Sequence, residues 1–144
     1  MRAIFKKKLF ENKKNRRENG QSMVEFALTL PLVLLLLCGI FEFGWVYGNA
    51  LAVQNATREG VRAGIVASVE AENNTLVTNK ILSMVPDAAL DVTITIVYSD
   101  TVNFQAGDIT VTVNYSIKGI TPFATLFTDD GIFDLSTECT MKMS

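Results

Sequence analysis

The chain has 144 residues, with 13 lysines and arginines against 15 aspartates and glutamates, no histidine and two cysteines. One domain is the natural expectation at this length, and 49% hydrophobic residues exclude a disordered chain. Without histidine there is no histidine general base, no histidine triad and no common zinc set. Two cysteines build neither a disulfide scaffold nor a thiolate cluster.

The net charge of −2 hides an asymmetry. Residues 1–19 carry eight bases against two acids, a net of +6, and residues 59–144 carry four bases against eleven acids, a net of −7. Between the two lies Phe26–Tyr47, 22 residues with the single charge Glu42. As a helix this stretch spans roughly 33 Å, enough for a hydrocarbon core of about 30 Å. A basic head before such a segment places the N-terminus inside and everything after about residue 48 outside. Topology explains the head better than nucleic-acid binding does. Gly48-Asn-Ala50 offers a secretory cleavage site, but the apolar run is longer than a signal core.

No proline falls between Val46 and Ala71, so the helix is expected to run on outside the membrane, over residues 21–71 in all. The first break is expected at Glu72-Asn-Asn-Thr75. Along this helix Gly44, Gly48, Ala52, Ala56, Gly60, Gly64 and Ser68 recur every four residues, a strip of small side chains that lets a partner backbone approach closely. The partner is either a second helix, favoured at 44–52, or this chain's own sheet, equally open at 56–68.

Residues 72–144 read as an outer α+β body. Thr75–Val85 is expected as a short amphipathic helix, capped by Asn74 or Thr75 and ended by Pro86. Three strands with clean period-2 alternation follow, at 92–98, 109–117 and 132–143. The outer half of the long helix and the short helix cover the apolar face, with Phe123, Leu126 and Phe127 as further candidates. The fold class is therefore α+β: a long N-terminal helix packed on a small antiparallel sheet of about three strands.

The stretch from Arg16 to Pro31 ends a basic head in Gly20, spaces five residues to Glu25, and opens the apolar helix there. It resembles a class III prepilin signal. Together with Gly39-Ile-Phe-Glu-Phe-Gly44 and Ala56-Thr-Arg-Glu-Gly-Val-Arg-Ala63, residues 15–65 resemble the TadE family, minor pilin-like components of the tight-adherence (Tad/Flp) pilus and related secretion machinery. The resemblance implies a pilin-like fold and a cut by a prepilin peptidase between Gly20 and Gln21, removing a leader at 1–20. It implies that Glu25, followed by Phe26, becomes the fifth mature residue and meets a new α-amino group, its own or a neighbour's. It implies other pilin or pseudopilin subunits, the peptidase, the inner-membrane assembly platform and the bilayer as partners, and the bacterial or archaeal cytoplasmic membrane as location.

The residues themselves leave some roles open. Glu42 either meets a neighbouring subunit's base or sits at the outer lipid–water interface. Arg58 and Arg62, one turn apart with Glu59 beside them, suit a solvated or docking face. Cys38 in the membrane and Cys139 outside are not expected to pair. Asp129 and Asp130 suit a solvated turn better than a calcium loop. No catalytic constellation, cofactor loop or metal-spaced cluster is present, so the expectation is a subunit that works by assembly. The rival is a single-pass anchored adaptor or sensor with a small outer domain.

Overall fold

The computed structural model describes residues 2–65, 70–100 and 107–143. Two helices come first, α1 (Arg2–Ile65) and α2 (Glu70–Met84). Three strands follow, β1 (Ala89–Tyr98), β2 (Asp108–Lys118) and β3 (Ile132–Lys142), with a 3-10 turn at Pro122–Leu126 before β3. The chain divides into two compact units, Met1–Ile40 and Phe41–Ser144.

The first unit is helix, with Pro31 inside it. Proline removes one backbone donor from the helical ladder. Two residues earlier, the Thr29 hydroxyl donates to the Glu25 carbonyl at 2.8 Å, which satisfies a polar side chain inside an apolar run. The large side chains from Met23 to Leu37 are exposed. One helical segment of the described residues, within Gly20–Ile65, is long and apolar enough to cross a membrane, and the rest of the chain buries none of its most apolar stretch.

The second unit carries the α+β body. Its sheet is antiparallel in the order β1-β2-β3. The central strand turns Ile109, Val111, Val113, Tyr115 and Ile117 to one face, all buried, as alternation in β2 predicts. Against them lie Val53, Ala56 and Val61 of α1 and Val77 and Ile81 of α2. Val92, Ile94, Ile96, Leu135, Cys139 and Met141 of the outer strands pack half-buried around this cluster. The fold is thus a long helix and a short one on a small open sheet, a pilin-like α+β arrangement. Cross-strand pairs tie the wet face: Thr110 to Thr140 at 2.9 Å and Ser116 to Asp134 at 2.7 Å.

Four expectations need correction. Helix α2 begins at Glu70, so Glu72-Asn-Asn-Thr75 is helical rather than a break. Asparagine and threonine cost a helix only tenths of a kcal/mol each, roughly, and packing of Val77 and Ile81 outweighs that. Asn74 does not start the helix; its side-chain oxygen accepts the Tyr98 hydroxyl at 2.7 Å, fastening β1 to α2. Phe123, Leu126 and Phe127 lie outside the core and are exposed. The first strand starts three residues early, across a bulge between Leu90 and Thr93 where Asp91 takes φ 51°.

Candidate functional site: the Glu42 junction and the small-residue strip

Glu42 is the single charge of the apolar segment, and it is 97% buried by a loop 78 residues away. One carboxylate oxygen accepts the Ile120 amide at 2.8 Å. The other accepts the Thr121 amide at 2.9 Å and the Thr121 hydroxyl at 2.6 Å. Three donors thus converge on one anion, the arrangement that makes a buried carboxylate tolerable. Thr121 is also the residue that opens the 3-10 turn, and its own side chain caps nothing there. The hydroxyl is instead spent on Glu42.

The loop is shaped for this contact. The Gly119 amide donates to the Gly131 carbonyl at 2.9 Å and closes the loop at its base. A Cβ on Gly119 would overlap both the Ala124 methyl and the Glu42 carboxylate, so only glycine fits. Gly131 takes φ +66°, a turn conformation that glycine adopts freely. One helical turn beyond Glu42, the Trp45 indole donates to the Lys118 carbonyl at 3.2 Å. Helix residues 42–45 are therefore pinned to the end of β2 and to the loop that follows it. Where the sequence leaves Glu42 open to a neighbouring subunit's base or the interface, the structure provides three donors in its own chain. A carboxylate in a 22-residue apolar run was the visible signal, and its partner was too distant along the chain to be read.

The small-residue strip is divided. Gly44 and Gly48 are exposed, and a Cβ on either meets nothing within 4 Å. Ala52 is half-buried, and Ala56, Gly60 and Gly64 are buried. Gly60 faces α2, where a Cβ would overlap the Ile81 side chain. The cause is helical geometry. A spacing of four in a helix of 3.6 residues per turn rotates the strip by about 40° per step. Three steps from Gly44 carry it about a third of the way round, from the outside of the body to its inside. Ser68 lies outside the described residues.

The remaining candidates are scattered. Glu25, in the first unit, is exposed, as are Gln21 and Phe26, and Gly20 precedes them in α1. Arg62 pairs with Glu59 at 3.7 Å on the surface, and Arg58 is exposed. An exposed i,i+3 pair contributes little. Cys38 and Cys139 are both free. A shallow groove of about 340 Å³ on the sheet is lined by Asp91, Asn114, Tyr115, Ser116 and Asp134 among others. Burial pushes the Tyr115 phenol above its usual range. Among the described residues, no three His, Cys, Asp or Glu side chains are grouped to hold a metal ion.

The glycine at 20, the apolar helix and the body built on its outer half occur together in one order. Residues 20–62 match the family model for TadE-like protein. Over these residues the chain is similar to the TadE-like family. The match begins at Gly20 and ends one turn of helix before α1 does, so it covers Glu25, Glu42 and the strip as far as Gly60. The sheet lies outside it. Neither a curated protein nor a solved structure matches the TadE-like chain.

Proposed function

We propose that this TadE-like chain is a pseudopilin-type subunit that helps assemble or initiate a Tad-type pilus or a related secretion pseudopilus, and that it performs no catalysis. The supporting observation is a long helix whose apolar outer surface is left bare while a small sheet is fastened to its far half. That is the design of a part that is held in lipid first and packs against like helices afterwards. The basic head keeps the N-terminus inside, residues 26–47 cross the membrane, and the body from about residue 72 stands outside. A prepilin peptidase cuts between Gly20 and Gln21. Glu25, with Phe26 after it, then lies beside a new α-amino group, a cation that offsets the cost of a carboxylate at the lipid edge. Pilin-like subunits and the inner-membrane platform are the partners.

The strip supplies the helix contact only where it is bare. Gly44 and Gly48 accept a neighbouring helix, whereas Gly60 and Gly64 serve the chain's own body. Site-specific cross-linking in assembling cells tests this. A photo-reactive residue at position 48 is expected to join a second pilus subunit, and one at position 64 to yield only intramolecular products. Absence of any intermolecular product from position 48 in assembling cells would contradict the assembly role.

A further inference from the structure

Four large apolar side chains of the 119–131 loop find no place in the core. Ile120 is 58% exposed, Leu126 and Phe127 are each 67% exposed, and Phe123 is 38% exposed. Contiguous exposed apolar residues of this kind mark a contact surface. The height of the loop along the helix is fixed, because Glu42 holds the amides of Ile120 and Thr121 and Trp45 holds the Lys118 carbonyl. Beside that base the helix itself is aromatic and exposed at Phe41, Phe43 and Tyr47, with the last two rings stacked at 5.7 Å. Two apolar surfaces from remote parts of the sequence are thus held at the level of the Glu42 junction.

We infer that the loop is a membrane foot: Ile120, Phe123, Leu126 and Phe127 enter the interfacial layer of the leaflet from which the helix emerges. This rests on residues 26–47 crossing the bilayer. Glu42 lies 17 residues beyond Glu25, or about 25 Å along a helix, against a hydrocarbon thickness of about 30 Å. The loop base therefore stands at the outer edge of the hydrocarbon, and lipid is the medium adjoining it. Trp45 and Tyr47, on the helix at the loop base, have the side chains that favour this layer. The loop from Gly119 to Gly131 has no base and two exposed acids, Asp129 and Asp130. Insertion is therefore driven by apolar burial and needs no anionic lipid. The three donors on Glu42 also shield its charge at a depth where it would otherwise face hydrocarbon.

The test uses the full chain in phosphatidylcholine nanodiscs containing lipids brominated high on the acyl chain. Trp45 is the sole tryptophan, so Trp45→Phe, which gives up the indole bond to Lys118 but keeps the three Glu42 bonds that hold the loop base, provides a background for Phe127→Trp and for a control, Val97→Trp, at the opposite end of β1. Emission from the indole at position 127 is expected to be blue-shifted and quenched roughly twofold, as for a side chain at the interface. Emission from position 97 is expected to be unquenched, and replacing part of the lipid with an anionic one is expected to change neither. Quenching of Trp45 in the parent chain with none at position 127 overturns the foot and leaves the membrane segment standing. No quenching at either position overturns the membrane segment, and the foot with it. Quenching at both 127 and 97 overturns the foot by showing the whole body lying on lipid. A blue shift at 127 that grows with protein density, without quenching, overturns it in favour of a second copy.

Discussion

Glu42 is a carboxylate that the apolar segment retains because it fastens the outer body to the helix. It accepts hydrogen bonds from two backbone amides and a hydroxyl. Hydrogen bonds to a charged group each contribute more than neutral ones. Glu42→Gln keeps the shape but supplies only one acceptor oxygen, and its amide N–H turns toward another donor. That variant is expected to lose about 2 kcal/mol of stability, read as a lowered midpoint in thermal unfolding of the detergent-solubilised protein. Thr121→Val, which removes the hydroxyl and keeps both amides, is expected to cost less, about 1 kcal/mol. Equal stability of Glu42→Gln and the parent chain would show that the junction is incidental.

Among the elements, glycines of the same helix are predicted to answer differently to the same change. Gly60→Ala forces a methyl into Ile81 and overpacks the α1–α2 contact, at a cost of about 1–3 kcal/mol. Gly48→Ala has open space, and removing a helical glycine stabilises by roughly 0.5–1 kcal/mol. Comparing the unfolding midpoints of the two variants checks the division of the strip. The strands were legible because each buries one face, so a period of two is imposed on Val92–Tyr98, Ile109–Ile117 and Phe133–Met143 alike. The start of α2 was not, because the residues between Glu72 and Thr75 are only mildly averse to helix and tertiary packing decides them. The strip was legible as a spacing, whereas its division needed the position of α2. The partner of Glu42 was illegible for a different reason: nothing in Ile120 and Thr121 marks them as donors, since two of the three bonds come from backbone. The apolar residues of the same loop were read toward the core by their composition, and the structure leaves them bare.

On the scale of the whole molecule, the two units have separate tasks. The first offers an apolar helix with an exposed Glu25, and the family match begins in it at Gly20. The second turns the far half of that helix into the spine of a small sheet domain, with Glu42 and Trp45 as its fastening to the loop. Under the proposed function the charge asymmetry of the sequence has a use in each part: +6 before residue 20 as a topology signal, and −7 after residue 58 on the body proposed to stand outside. The proposed function requires insertion and then release from the leader before packing against other subunits. The intact mass of the protein extracted from membranes tests that account most directly, measured in cells with and without an active prepilin peptidase. With the peptidase, a chain shortened by residues 1–20 and beginning at Gln21 is expected; without it, the full-length chain. A full-length chain in both would contradict it.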